Sequence, residues 1–243
     1  MTRAAARLGP ITLFMLLALA APRTATAAGG AYAVDDAGVD PGVCKVESWA
    51  AFASNSDFIG VVSPACSVEI GRPIEIGVAY ARTRGDREWG AEFAPKAKIN
   101  LLPVETGKVG VAISLLTSFD LYTGENSGTI VNVPVTFALS DSFRVNLNGG
   151  WFHDRRAMQD LAIYGAGVEW NPIKPVTLLA EIFGFAGPET ERRTDRQPRG
   201  QAGIRFTPVE TMDIDLIYGR NITGENAHWV TLGLNLRFPV AAK

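Results

Sequence analysis

The chain alternates between apolar and polar positions. Near the C-terminus, Val230, Leu232, Leu234, Leu236 and Phe238 share one face of an extended strand. Trp229, Thr231, Gly233, Asn235 and Arg237 take the other. The same period of two runs through 129–139, 143–152 and 162–171. It recurs near 91–101, where Phe93, Ala97 and Ile99 oppose Glu92, Lys96 and Lys98. Strands of globular proteins centre on about 5–6 residues, whereas a strand crossing a membrane in a barrel needs about 9–11. These runs reach the longer class. They predict an all-β fold: an antiparallel up-and-down transmembrane β-barrel, one face toward lipid and the other toward a polar lumen. A soluble up-and-down barrel with its apolar face inward is the alternative. It calls for shorter strands and a more charged exterior.

Connectors set the count. Twelve strands are expected over 45–54, 57–70, 73–82, 89–102, 108–121, 129–139, 143–153, 160–171, 175–186, 198–207, 212–221 and 228–238. Turn-forming connectors such as Gly71-Arg72-Pro73 and Ser140-Asp141-Ser142 alternate with longer polar ones. Short periplasmic turns and longer outer loops have that pattern, and an even number of strands leaves both termini in the periplasm. Two repeated words fit it: PVET (Pro103–Thr106 and Pro208–Thr211) reads as a periplasmic turn, and TGEN (Thr123–Asn126 and Thr223–Asn226) as an outer loop. Ser63-Pro64 interrupts the second run, where a bulge is expected. Ten strands with an N-terminal periplasmic hairpin is therefore the alternative.

The ends refine the domain plan. Arg3 and Arg7, an apolar run from Ile11 to Ala21 and the small residues Ala25-Thr26-Ala27 read as a signal peptide over 1–27, exported through the Sec route. The run is about half the ~20 residues of a membrane helix. Cleavage removes Arg3, Arg7 and Arg23 and no acid, which takes the formal charge from −2 to −5. Without basic clusters, nothing supports nucleic-acid binding. Residues 28–43, rich in Gly, Ala and Asp, read as a flexible N-terminal tail, with entry into the lumen as a small plug as its other role. The barrel spans 44–238, and 239–243 form a C-terminal tail. Cys44 starts the first strand and Cys66 lies low on the second, so an antiparallel hairpin brings them together as a disulfide.

On this register the lumen receives Glu69, Glu75, Glu92, Lys96, Lys98, Arg144, Glu169, Glu181, Arg205, Asp213, Asp215 and Arg237. Either they neutralise one another and brace the barrel, or they line a polar path. Small residues, among them Gly77, Gly110, Gly165 and Gly167, suggest free space. A carrier of hydrophobic solutes would instead show an apolar lumen patch around Phe152, Leu179, Phe183 and Ile217. The reading is a porin-like transporter: a restricted channel or binding cavity passing a small solute. A structural or surface-exposed barrel with a closed lumen is a second reading. A lipid hydrolase is a third, because His153 and His228 fall at the outer rim, but no spacing joins either to a nucleophile and orienter. No enzyme activity, cofactor or metal is expected. The charged stretch Glu189–Arg199 reads as a solvated outer loop meeting anionic lipopolysaccharide.

"LGLNLRF", carrying Gly233, Leu236 and Phe238, looks like the terminal assembly signal of outer-membrane proteins, although Pro239–Lys243 follow it. It makes outer-membrane lipid and the barrel-assembly machinery the expected partners. The stretches "CKVESWAAFAS", "PVETGK", "NVPVTF" and "IYGRNITGENA" resemble Gram-negative outer-membrane β-barrel proteins related to those assigned as transporters of the phenol meta-cleavage pathway. The resemblance covers most of the mature chain and rests on structural words. It implies a barrel of roughly twelve strands in the bacterial outer membrane and passage of small molecules, aromatic ones included. It brings no catalytic residues with it.

Overall fold

The structure is a computed structural model that describes residues 31–85, 87–187 and 198–240. The signal peptide, most of the Glu189–Arg199 loop and residues 241–243 lie outside the described residues. Twelve strands form: β1 (Val43–Ala53), β2 (Phe58–Glu69), β3 (Pro73–Gly85), β4 (Glu88–Leu102), β5 (Val109–Asp120), β6 (Asn126–Ser140), β7 (Phe143–Asp154), β8 (Gln159–Ile173), β9 (Val176–Ala186), β10 (Arg199–Val209), β11 (Met212–Asn221) and β12 (His228–Pro239). Each pairs antiparallel with its sequence neighbours, and β1 pairs with β12, so the barrel is closed. Closure leaves no sheet edge with unpaired backbone groups.

The alternation decides which way each side chain points. Ile76, Val168, Ile182, Leu216 and Leu232 face outward and are exposed. Trp170, Phe206 and Phe238 gird the outside at one end, and Phe52, Trp89 and Trp151 at the other. An apolar belt between aromatic girdles is the surface that a lipid-facing barrel presents. The interior is polar: Glu75, Asn146, Arg205, Asp213 and Asp215 are buried there. Both PVET copies lie at the β4–β5 and β10–β11 turns, and both TGEN copies at the opposite end. Gly124 and Gly224 both take left-handed φ (73° and 80°), which glycine adopts without a Cβ penalty.

One expectation is corrected here. There is no bulge at Ser63-Pro64. The β2–β3 pairing lapses at those residues, because proline has no N–H to donate, and resumes in the same register. The β1–β2 pairing runs straight through. The expected twelve strands are all present, and the ten-strand alternative falls away. Cys44 and Cys66 are direct cross-strand partners, 3.9 Å apart at Cα and bridged as a disulfide beside the β1–β12 seam.

Residues 31–42, read above mainly as a flexible tail, run through the lumen. Tyr32, Val34, Asp36 and Ala37 are buried. Composition alone signals disorder because the segment has no core of its own; here the barrel supplies one. The segment leads down to the β1 start, where Gly42 N donates to Ser67 O.

Candidate functional site

The candidate site is the lumen together with this inserted segment. Its backbone donors are met by side chains of distant strands. Glu181 on β9 accepts from Ala33 N at 2.7 Å and Val34 N at 3.0 Å. Asn148 on β7 accepts from Asp35 N at 2.9 Å and donates back to Asp35 O at 2.6 Å. Thr136 on β6 accepts from Ala37 N at 2.9 Å, and Asn100 on β4 donates to Ala37 O at 2.5 Å. Lys98 Nζ lies 3.0 Å from Asp35 Oδ1. Buried backbone groups need such partners, since each orphan forfeits a hydrogen bond with water.

Glycine makes the groove. A Cβ on Gly165 would meet Val34 Cγ2 at 2.9 Å, and one on Gly203 would meet the Tyr32 hydroxyl at 2.8 Å. The space that the small residues Gly165 and Gly167 suggested is thus filled by Val34. Beside it remains a cavity with room for about one water molecule, lined by Tyr32, Val34, Asn146, Glu169 and Glu181. The Tyr32 ring packs on Leu179 and Ile217, half of the apolar patch that a carrier would show, with the Arg205 guanidinium 5.5 Å from its centroid. Its hydroxyl is buried without a hydrogen-bond partner among the described residues. Phe152, from the other half of that patch, contacts Phe185 at 5.6 Å.

The charges gather in groups. On β1, β3 and β4, Lys45 bridges Glu47 (3.0 Å) and Glu75 (2.9 Å), while Lys96 lies 3.4 and 3.8 Å from the same two carboxylates. On β10 to β12, Arg205 grips Asp215 through Nε at 2.7 Å and Nη2 at 3.0 Å. Asp213 pairs with Arg237 and accepts from Thr207 at 2.7 Å. Asn235 donates to Asp215 at 2.9 Å. Glu169 accepts from Asn146 at 2.5 Å, and Arg144 is its cross-strand partner. Glu92 stands apart at the rim, where Arg156 joins it to Asp120. Gly233 packs near Asp215 and Ala31, so this part of the C-terminal strand also shapes the groove. Leu236 and Phe238 follow the seam with β1.

Sequence reasoning missed Lys45 and Glu47, which one more step of alternation through "CKVESW" would have found. It also passed over the neutral anchors Asn100, Thr136, Asn148 and Gln201, because uncharged polar residues on a lumen face carry no distinguishing signal. Among the described residues neither histidine stands beside both a nucleophile and an orienting acid. His153 faces outward and its Nδ1 meets Asp160, not Asp154 or Asp120, at 2.9 Å. Among the described residues no hydroxyl is hydrogen-bonded to either imidazole. Ser54 accepts instead from the His228 backbone N–H. No group of three or more metal-ligating side chains occurs among the described residues.

Fold and site together define a closed, antiparallel twelve-stranded β-barrel, with a polar lumen occupied by its own N-terminal segment. The match of residues 15–238 to the family model described as Uncharacterised conserved protein UCP029691 shows that the chain belongs to that family. No curated protein matches it in sequence. Among solved structures, the KdgM porin in complex with disordered oligogalacturonate superposes with a TM-score of 0.61 at 8% identity, covering 80% of this chain and 99% of that one. The COG4313 outer membrane channel from Pseudomonas putida F1 gives 0.60 at 13% identity, covering 83% and 97%. The NanC porin gives 0.58 at 6%, covering 79% and 98%. At these identities the likeness is one of fold.

Proposed function

We propose that this protein is an outer-membrane β-barrel forming a restricted channel or binding cavity for a small aromatic or hydrophobic solute, closed at rest by residues 31–40. The observation that carries this reading is the inserted segment. It is held to lumen side chains by hydrogen bonds and the Lys98–Asp35 ion pair, contacts that water or a solute can replace, and its one covalent link to the wall is its continuation into β1. The architecture shared with porins and a channel supports a passage role. The Tyr32 ring, seated on Leu179 and Ile217 beneath Arg205, supports the solute class. A flat ring of that size fits between an aliphatic floor and a cation, and a solute that took its place would dislodge the segment. The resemblance to transporters of the phenol meta-cleavage pathway points the same way.

The test is planar-bilayer conductance of the mature protein, of Tyr32→Ala and of a variant lacking residues 28–38. The deletion is expected to show discrete, salt-dependent steps that the intact protein shows rarely. Charge reversal at Lys96, Arg144 or Asp213 should then shift ion selectivity. Small aromatics should raise the opening frequency of the intact protein, and Tyr32→Ala should weaken that response. A deletion variant that is folded, inserted and silent sinks the channel reading. A closed structural barrel would then replace it, a second reading favoured by the carboxylate pairing of Lys45, Lys96, Lys98 and Arg205.

A further inference from the structure

The outside of the barrel carries a feature that solute passage does not use. On β3, Arg82 and Arg84 point outward near the end away from both termini. Arg84 is the cross-strand partner of Phe58 on β2 and of Trp89 on β4. The Arg82 guanidinium lies 4.8 Å from the Trp89 ring centroid and 5.9 Å from that of Tyr122. That of Arg84 lies 5.4 Å from Trp89. Phe52, Phe58 and Trp89 continue as a row of ring contacts at 5.2 and 5.8 Å.

Two like charges two residues apart on a strand stand about 7 Å from one another. Among the described residues no carboxylate lies within ion-pair distance of either. Arg82 spends one nitrogen on the Tyr122 hydroxyl, and Arg84 spends Nε and Nη2 on Ser56 O at 2.9 and 2.6 Å. Their remaining N–H groups have no partner among the described residues. Depth fixes what they face. A thirteen-residue strand runs about 40 Å and, tilted as barrel strands are, rises about 30 Å, which exceeds the roughly 25 Å apolar band. The last turns of β3 therefore stand at headgroup level.

We infer that Arg82, Arg84, Trp89 and Tyr122 form a site on the barrel wall for the phosphate of an anionic outer-leaflet lipid. Arginine suits phosphate because its planar fork can present two parallel N–H donors. The neighbouring Phe52 and Phe58 offer an apolar surface to acyl chains, which a free anion cannot use. The inference rests on the outer-membrane reading and is independent of whether the lumen conducts.

Native mass spectrometry of the refolded mature protein, titrated with lipid A or with phosphatidylcholine, tests it. Lipid A is expected to stay bound and phosphatidylcholine to leave. Arg82→Gln/Arg84→Gln should weaken lipid A binding about tenfold or more, the loss of two charge-assisted contacts. Arg220→Gln, at another outward arginine, should not. Excess inorganic phosphate should fail to displace the lipid. Undiminished binding by the double variant overturns the site. So does an equal loss in Arg220→Gln, which would mean charge attraction without a defined site, and so does displacement by free phosphate, which would mean a plain anion site. Heat-modifiable gel mobility confirms that each variant is folded. If the wild-type protein fails to insert into vesicles, the membrane reading falls and takes this site with it, whereas an inserted but silent barrel leaves the site standing.

Discussion

Glu181→Ala is the perturbation that most directly tests how the lumen is closed. The carboxylate accepts two backbone N–H groups of the inserted segment, at 2.7 and 3.0 Å. A hydrogen bond to a charged group contributes roughly 1.5–3 kcal/mol net, so the pair holds the segment by about 3–6 kcal/mol. At about 1.4 kcal/mol per tenfold, the ratio of inserted to withdrawn segment should fall by about two to four orders of magnitude. The opposing term is large: freeing ten or so residues returns roughly 1–2 kcal/mol of backbone entropy each. All the anchors of the segment together oppose that term, and Glu181 supplies two of them. The assay is maleimide labelling of Val34→Cys in the folded, inserted barrel. Val34 is 1% exposed, and the native cysteines are bridged, so the rate reports withdrawal of the segment. Val34→Cys should label slowly and Val34→Cys/Glu181→Ala at least about a hundredfold faster. Equal rates in two folded proteins would refute the claim that Glu181 secures the segment.

Gly165→Val should act from the opposite side of the contact. Its Cβ alone would come within 2.9 Å of Val34 Cγ2, so the segment has to shift, and labelling of Ala37→Cys, at a position 0% exposed that leaves Val34 in place, should rise while barrel mobility on gels stays native. Arg205→Ala should lower the urea midpoint strongly, because it strands the Asp215 carboxylate, which is 0% exposed, and breaking a buried pair costs about 3–5 kcal/mol. Lys108→Ala, which removes an exposed pair with Glu105, should leave the midpoint within error; equal shifts in the two variants would contradict the burial argument. Peptide mapping should recover Cys44 linked to Cys66. Reducing that link, which closes a 22-residue separation, should cost about 3 kcal/mol of unfolding free energy, with the urea midpoint as the readout.

The parts of this structure legible in the sequence are those that depend on local period. Strand β12 needed only "WVTLGLNLRF", because a slip of one residue would turn Leu232 and Leu234 into the lumen and Asn235 into lipid. The charges fell on the inward parity for the same reason: a charge on the lipid face costs several kcal/mol, so alternation and charge give the same answer. Pro64 misled because its local signal, a missing donor, was read as a change of register. The structure absorbs it as a gap in one ladder while the other runs on.

The inserted segment was illegible as a structured element for a different reason. Its partners lie 63 to 170 residues away in sequence, and they are ordinary lumen side chains when read alone. No window over residues 28–43 contains Glu181, Asn148 or Thr136. The glycines Gly165 and Gly203 have the same ambiguity: a residue without a side chain reads equally as empty space or as room for something else. The lumen charges complete the argument. Lys45 and Lys96 are satisfied by Glu47 and Glu75 within the wall, so that group would survive withdrawal of the segment unchanged. Lys98 is paired with Asp35 and Asp36 of the segment itself. Withdrawal would therefore leave Lys98 as a newly unpaired cation in the lumen, next to the place that the segment vacates. The same wall that holds the segment would then present Lys98, together with Glu181 freed of its two backbone donors, to whatever follows it. Measured ion selectivity of the deletion variant should accordingly shift toward anions relative to the same variant carrying Lys98→Gln.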